Sequence, residues 1–138
     1  MQLKDIITTT VETVKPDASL FDAAKIMMTN DLGWLPVTRE GKVLGILTDR
    51  DIAIRGVAAG LEPRQARVEQ VMSRDVFAVS IDDSIEDACN TMEEEQVRRL
   101  VVLDENENLV GVVSLADLAA QAPESESADV LKKVTEPD

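Results

Sequence analysis

Apolar side chains recur at helical spacing in two stretches of the chain, 20–28 and 85–92. A period of three to four residues is typical of a helix with one buried face, so each stretch predicts an amphipathic helix. Ser19 and Ser84 precede the two stretches, and an aspartate follows each serine by three residues. This arrangement predicts a capping box, in which serine and aspartate satisfy backbone N–H groups at the start of a helix.

Shorter apolar runs between turn residues predict strands. The predicted strands are 11–14, 35–38, 43–47, 76–79, 100–103 and 109–113. A further helix is predicted from Thr48 or Asp49 toward Ala59, where Gly60 can end it because glycine accepts the left-handed conformation. The last predicted helix starts at Ser114.

The order of these elements is the same in both halves of the chain. The segment 14–23 is matched by 79–88 at an offset of 65 residues, and 45–51 is matched by 111–117 at an offset of 66. One extra residue within 104–108 accounts for the change. A repeat of this length predicts two copies of one strand-helix-strand-strand-helix unit. About 50 residues bury too little surface to fold alone, so the copies are expected to share a core.

The predicted domain organisation follows from the repeat. Residues 1–62 form the first repeat and 71–122 the second, with a linker helix at 63–70 that is centred near Val68. Residues 123–138 form a polar, acidic tail.

The composition excludes several classes of function. The 138-residue chain has a net charge of -13, so nucleic acid would be repelled and is not an expected partner. No apolar run approaches the roughly 20 residues that span a bilayer, and the start of the sequence lacks a signal-peptide pattern. The chain is therefore expected to be cytoplasmic and not to bind membranes. Aromatic residues make up only 2% of the chain, which predicts an aliphatic core.

Histidine is absent from the chain, and Cys89 is the only cysteine. A Ser-His or Cys-His pair and an internal disulfide are therefore impossible. Neither a catalytic residue nor a metal site is predicted. Cys89 falls among the apolar positions of the second amphipathic helix, where a small buried hydrophobic side chain is expected.

A motif of glycine, a hydroxyl residue and aspartate closes each repeat. Its members are Gly45, Thr48 and Asp51 in the first repeat and Gly111, Ser114 and Asp117 in the second. A glycine inside a strand indicates that some group approaches closely, and the hydroxyl falls where a strand passes into a helix. A hydroxyl there can donate to phosphate, and a carboxylate one helical turn later can accept from both hydroxyls of a ribose. The same two side chains can instead form a capping box, and the motif alone leaves both interpretations open.

The repeat resembles the CBS domain, and the chain from about Leu3 to Gln121 resembles a tandem CBS pair, or Bateman module. The resemblance is carried by the Ser-initiated helices, the strand Leu35-Pro36-Val37, the closing motifs and the segment 96–102. It implies an α/β (α+β) fold of two pseudo-symmetric repeats packed sheet to sheet, and a homodimer. It also implies a regulatory module and not an enzyme, since enzymes that bear this module keep catalysis elsewhere in their chains.

By resemblance, the ligand is an adenosine nucleotide (AMP, ADP or ATP) or a related adenosyl compound, bound in a cleft between the repeats. Thr48 and Ser114 would face phosphate, and Asp51 and Asp117 would face ribose. The base would lie between the first strand of each repeat and the strand that follows its helix. The residues expected there are Thr10, Val11, Trp34, Leu35 and Pro36 in the first repeat, and Asp75, Val76, Phe77, Arg99, Leu100 and Val101 in the second.

Arg50, Arg98 and Arg99 are candidate phosphate partners, because a guanidinium can form two parallel hydrogen bonds to phosphate. Surface ion pairs are the alternative for all three. Trp34 can stack on a purine or serve in the core or a dimer contact. No cofactor is required, and Mg²⁺ is expected only together with a bound phosphate. The alternative function, which the acidic charge favours, is a scaffold that dimerises or binds a protein partner without nucleotide.

Overall fold

The computed structural model describes residues 2–121, so the predicted tail 123–138 lies outside the described residues. The chain forms two compact units. The first-repeat unit is Glu12–Val76, and the second-repeat unit combines the residues up to Val11 with those from Phe77 onward. The units therefore differ from the sequence repeats, because the residues before Glu12 group with the second repeat.

The first-repeat unit contains the elements predicted for the first copy. They are α1 (Leu20–Asn30), β1 (Trp34–Arg39), β2 (Lys42–Thr48), α2 (Asp49–Asp51), a π-helix (Ile52–Val57) and a 3₁₀ helix (Val68–Gln70). Strands β1 and β2 pair antiparallel. The helix predicted after Thr48 is confirmed in position, but beyond its first turn it is a π-helix. The strand predicted at 11–14 is reduced to one parallel bridge between Val14 and Val37.

The second-repeat unit repeats this order with a third strand. Its elements are a 3₁₀ helix (Leu3–Asp5), β3 (Ala78–Ser80), α3 (Ile85–Glu95), β4 (Arg99–Leu103), β5 (Leu109–Ser114) and α4 (Leu115–Gln121). The strand order is β3-β4-β5, with β3 parallel and β5 antiparallel to β4. The helices and the two later strands predicted for the second copy are thus confirmed, whereas the strand predicted at 76–79 is observed at Ala78–Ser80.

Helices α1 and α3 begin in the predicted way. Ser19 Oγ accepts a hydrogen bond from the Asp22 N–H, and Ser84 Oγ accepts one from the Asp87 N–H, both at 3.0 Å. At Ser84 the reciprocal bond from the backbone N–H to Asp87 Oδ2 (2.9 Å) completes the capping box. This backbone bond first, and the bond to the Ser84 side chain second, lower the pKa of the Asp87 carboxyl below its ordinary 3.8, because both favour the ionised form.

The two hairpins share an irregularity. Strand pairing shifts after Val37 in β1 and, at the equivalent position, after Val102 in β4. A bulge of this kind bends the strand and increases its twist. The β1–β2 turn consists of Glu40 and Gly41, which both have positive φ (52° and 84°), as a type I′ turn requires.

The buried apolar side chains form two aliphatic clusters, one in each unit. Leu35 and Leu47 are fully buried in the first cluster, and Met92 and Leu100 in the second. Cys89 packs against the second cluster but is only half-buried, less than expected. Within residues 2–121, no helix has the length and apolar character needed to cross a membrane.

Each unit is completed by the leading segment of the other repeat. These leading segments are the residues up to Val11, which join the second-repeat unit, and residues 71–76, which join the first-repeat unit. Thr8 pairs with Val112 of β5 through two hydrogen bonds (2.9 and 3.0 Å), and Ser73 pairs with Ile46 of β2 through two more (2.8 and 2.9 Å). Thr8 and Ser73 are themselves equivalent positions, 65 residues apart. The two repeats therefore exchange their leading segments.

Candidate functional site

Strand β2 passes into helix α2 at Thr48, the hydroxyl residue of the first closing motif. Thr48 has an extended backbone (φ -116°, ψ 161°) and is the N-cap of the helix. Its Oγ1 accepts a hydrogen bond from the Asp51 N–H at 3.1 Å, and its own N–H donates to Asp51 Oδ2 at 3.0 Å. The pair therefore forms a capping box, one of the two interpretations that the sequence left open.

Ser114 and Asp117 make the same two hydrogen bonds where β5 passes into α4. Ser114 Oγ accepts from the Asp117 N–H at 3.0 Å, and the Ser114 N–H donates to Asp117 Oδ2 at 2.9 Å. The residues between differ: 49–50 are exposed and charged, whereas in 115–116 a buried leucine is followed by an exposed alanine. The backbone arrangement is thus duplicated while its flanking side chains are not.

The capping bonds leave part of each pair for a ligand. A cap uses the carboxylate Oδ2 and a lone pair of the hydroxyl oxygen, but not Oδ1 or the hydroxyl proton. That proton can be donated to a phosphate oxygen, and Oδ1 can accept from ribose hydroxyls. Thr48, Asp51, Ser114 and Asp117 are all half-buried, not sealed. Capping and ligand binding are therefore compatible at both motifs.

Strand pairing places two further predicted residues beside these hydroxyls. Trp34 lies opposite Thr48 in the β1–β2 pair, and Arg99 lies opposite Ser114 in the β4–β5 pair. Residues directly opposed across an antiparallel pair have Cβ atoms roughly 5 Å apart. Trp34 is half-buried and Arg99 is exposed. An aromatic ring in one unit and a guanidinium in the other therefore adjoin the hydroxyl.

The repeated glycines are structural, which corrects their assignment to the ligand motif. A Cβ atom on Gly45 would lie 2.6 Å from the backbone oxygen of Ser73 and 2.8 Å from Sδ of Met72. A Cβ atom on Gly111 would lie 2.9 Å from the backbone oxygen of Thr8. The group that approaches each glycine is thus the exchanged segment, not a ligand.

Four of the expected base-binding residues have buried side chains: Leu35, Pro36, Leu100 and Val101. Only their backbone groups can face a ligand. Two of those backbone groups are already hydrogen-bonded to the stretch that precedes the helix of the same repeat. Pro36 O accepts from the Val14 N–H and the Val101 N–H donates to Phe77 O, both at 3.1 Å. The strands that the resemblance places around the base are therefore paired directly at these points.

The exchange of leading segments also divides the remaining expected residues. Thr10 and Val11 group with the second-repeat unit, and Asp75 and Val76 group with the first-repeat unit. Thr10 and Asp75 are exposed, whereas Val11 and Val76 are half-buried. A ligand role for these four residues remains a prediction.

Arg50, Arg98 and Arg99 are all exposed. The Arg50 N–H donates to Asp49 Oδ1 at 2.8 Å, and the Arg98 carbonyl accepts from the Leu115 N–H at 2.7 Å. These backbone bonds fix where each side chain starts and leave its guanidinium at the surface. Phosphate binding by the three arginines remains a prediction.

Arg55 is a residue beside the motif that the sequence analysis missed. Its Nε lies 3.9 Å from Asp51 Oδ1, and its Nη1 lies 3.4 Å from Val71 O and 3.5 Å from Met72 O. The Asp51 side chain is 17% exposed and that of Arg55 is 57% exposed. The sequence contains a signal for this contact, which is the spacing of four residues between Asp51 and Arg55. Opposite charges at that spacing on a helix are neighbours.

The comparison with protein families agrees with this duplicated architecture. The family model for the CBS domain matches residues 3–56 and 68–124. The chain belongs to the CBS-domain family. This CBS-domain protein is 43% identical over 126 residues to the CBS domain-containing protein YhcV of Bacillus subtilis, across 91% of this chain and 89% of that one. It is 38% identical over 135 residues to hypoxic response protein 1 of Mycobacterium tuberculosis, across 97% and 94%.

Two solved structures show the same fold. Hypoxic Response Protein I with two coordinated zinc ions has a TM-score of 0.79 and 39% identity, and the match covers 89% of this CBS-domain protein and all of that chain. The CBS domain pair of protein MJ0100, in complex with 5′-methylthioadenosine and S-adenosyl-L-methionine, has a TM-score of 0.74 and 27% identity, with coverage of 87% and 94%. Within residues 2–121 of this CBS-domain protein, no group of three or more His, Cys, Asp or Glu side chains is placed to hold a metal ion.

Proposed function

We propose that this CBS-domain protein is a regulatory module that senses an adenosine nucleotide or a related adenosyl compound. The observation that carries the proposal is the duplicated hydroxyl–carboxylate pair, at Thr48–Asp51 and Ser114–Asp117. Each pair keeps a hydroxyl proton and a carboxylate oxygen that its cap does not use. The MJ0100 structure supports the proposal, because that CBS domain pair is in complex with two adenosyl compounds.

In the proposed mechanism, the hydroxyl of Thr48 or Ser114 donates to the phosphate or to another polar group at the ribose 5′ position. Oδ1 of Asp51 or Asp117 accepts from the ribose hydroxyls, so the carboxylate selects a nucleoside with an intact ribose. Exposed arginines neutralise phosphate where the ligand carries it, and Mg²⁺ enters only with that phosphate. The module regulates and does not catalyse, and it acts in the cytoplasm.

The regulatory output follows from preferential binding. A ligand that binds one conformation better than another shifts the population toward it. We propose that this shift alters the contact between two copies of the chain, or between the chain and a partner protein. Light scattering of the eluting protein, with and without ligand, measures whether a dimer forms and whether its stability changes.

A scaffold that binds a protein without nucleotide is the second candidate. Two observations favour it. The capping boxes give Thr48 and Asp51 a structural role that needs no ligand. In addition, Met28, Ile54 and Val57 are large apolar side chains with 73%, 49% and 61% exposure, which a protein partner can cover.

A thermal-shift series separates the two candidates. The ligands are AMP, ADP, ATP, NAD and S-adenosylmethionine, each over a range of concentrations. A ligand at 100 times its Kd stabilises the fold by about 2.7 kcal/mol, which corresponds to a rise of roughly 8 °C in Tm for a chain of this size. The matched control is the variant with both Asp51→Asn and Asp117→Asn, in which the rise should shrink. Absence of any shift with all five compounds would leave the scaffold as the better candidate.

A further inference from the structure

We propose that Arg55 is a positioning residue, which orients the Asp51 carboxylate for the ligand and couples it to the segment Val71–Ser73. The inference rests on the proposed function, since it concerns the same site. Arg55 connects two groups: the carboxylate proposed to hold ribose, and two backbone carbonyls of the segment Val71–Ser73.

The guanidinium of Arg55 is held loosely among three acceptors. Its contacts are 3.9 Å to Asp51 Oδ1, 3.4 Å to Val71 O and 3.5 Å to Met72 O. Tight charge-assisted hydrogen bonds are roughly 2.7–2.9 Å long, so each of these contacts can shorten if the others weaken. The oxygen that Arg55 faces is Oδ1, the one that the capping box does not use. Ligand and Arg55 therefore act on the same atom.

The other end of this contact lies on a segment with structural consequences. The side chains of Val71 and Met72 are buried in the core of the first-repeat unit. The next residue, Ser73, completes the sheet by exchanging two hydrogen bonds with Ile46. The chain leaves the first-repeat unit at Val76. A change in the Arg55 contact thus acts on the stretch that leads covalently into the second repeat.

The second repeat has an uncharged residue at the position of Arg55. The position equivalent to Arg55, at the offset of 66 that relates the two closing motifs, is Gln121. Glutamine carries no charge and cannot form an ion pair with Asp117. At this position the first motif therefore has an ion pair that Gln121 cannot provide to the second, although their capping geometry is the same. The substitution Arg55→Gln gives the first motif the residue that the second repeat already uses.

The sequence of events follows from charge and geometry. When ribose hydroxyls donate to Oδ1 of Asp51, part of the negative charge on that oxygen is satisfied by the ligand. The guanidinium of Arg55 then gains by moving toward the carbonyls of Val71 and Met72. Stronger contacts there hold the segment against β2. The expected sign is slower exchange of the Ser73 amide, which donates to Ile46 O.

The test measures affinity and amide exchange on the same variants of the full chain. Arg55→Gln removes the charge, and Arg55→Lys keeps it without the planar fork. The matched control is Arg64→Gln, because the Arg64 guanidinium lies over the Phe21 ring at 4.0 Å in the same unit. Calorimetric titration with AMP and with S-adenosylmethionine gives Kd. Hydrogen–deuterium exchange of residues 71–73 is compared without ligand and at ligand concentrations that saturate each variant. The difference measures how strongly ligand binding stabilises this segment.

In Arg55→Gln, we expect Kd to rise roughly two- to fivefold, the range typical of an exposed ion pair, because losing the orientation of the Asp51 carboxylate outweighs losing the competition for Oδ1. We also expect the ligand-dependent protection of residues 71–73 to disappear even at saturation. Arg55→Lys should restore part of both, and Arg64→Gln should match the wild type. A merely structural role for Arg55 would change exchange equally with and without ligand.

Three further results would overturn the inference, and they are distinguishable. If the wild type binds but Arg55→Gln matches it in Kd and in exchange, Arg55 has no role and the proposed function stands. If Kd rises while the protection of residues 71–73 persists, the coupling is wrong. If the wild type binds neither AMP nor S-adenosylmethionine, the inference fails together with the nucleotide function for these compounds.

Discussion

The substitution Gly45→Ala tests the exchange of leading segments directly. The added methyl group would lie 2.6 Å from the Ser73 carbonyl oxygen and 2.8 Å from Met72 Sδ. An ordinary contact between carbon and a carbonyl oxygen is roughly 3.3–3.6 Å. The methionine end can rotate away, but the carbonyl cannot, because it accepts a 2.8 Å hydrogen bond from the Ile46 N–H. The segment must therefore move off the strand.

The magnitude follows from what this movement breaks. Ser73 and Ile46 share two hydrogen bonds, each with a net value of about 1 kcal/mol, and overpacking adds roughly 1–3 kcal/mol. The lower entropy of alanine in the unfolded chain offsets about 0.4–1 kcal/mol. We expect a net loss of roughly 2–4 kcal/mol, or roughly 6–12 °C in Tm for a chain of this size.

Chemical denaturation with urea, combined with hydrogen–deuterium exchange at Ser73, is the appropriate assay. Two other glycines provide controls. Gly111→Ala meets the Thr8 carbonyl at 2.9 Å and the flexible end of Ile7 at 2.8 Å, so its loss should be smaller. Gly60→Ala meets nothing within 4 Å but has φ of +81°, so its loss should be about 1 kcal/mol. A Gly45→Ala variant as stable as Gly60→Ala would refute the proposed role of the Ser73 segment.

Three further predictions concern single side chains. Asp51→Asn keeps an oxygen for the Thr48 N–H, so it should spare the fold but raise Kd for an adenosyl ligand at least about tenfold; Asp51→Ala should also lose about 1 kcal/mol of capping, and unchanged Kd in both would remove Asp51 from the site. The lowered pKa of Asp87 means that its stabilising effect is complete above the ordinary carboxyl pKa and is lost as pH falls through the folded-state value. The stability difference between wild type and Asp87→Asn should therefore stay constant from about pH 7 to 5 and shrink only below about pH 4, and NMR titration checks the pKa itself; shrinkage near neutral pH contradicts the assignment. Glu40→Asn should raise the free energy of unfolding by about 0.5 kcal/mol, since asparagine tolerates positive φ in a type I′ turn, whereas a loss in urea denaturation would contradict that turn.

The sequence was sufficient for the helices and strands because their signals are local and occur twice. An apolar stripe, a serine cap and a turn residue each act within a few positions of one another. The exchange of segments is different, because Thr8 and Val112 pair across about 100 residues. Gly111 signalled that something approaches the strand, but a glycine cannot tell backbone from ligand. The π-helix after Asp51 and the two bulges likewise depend on packing that no short pattern encodes.

In the candidate site, as in the fold, the sequence predicted the local contacts but not those that depend on tertiary packing. The contact between Thr48 and Asp51 follows from their spacing alone, and the sequence correctly allowed for a capping box. That Leu35 and Leu100 offer only backbone to a ligand depends on where each core forms, which composition does not specify. Arg55 was within reach of the sequence, since it stands four residues after Asp51, but its contact with Val71 required the fold.

The exchanged segments give the chain an order of assembly during synthesis. Ser73 follows β2 by only 25 residues, so everything that the first-repeat unit needs has been made once Val76 is added. Thr8, although translated well before Ser73, must wait for β5. At roughly 5–20 residues per second, this delay is about 5–20 s on the ribosome. A chaperone, or a sequence fused ahead of residue 2, would therefore meet this stretch while it is still unpaired.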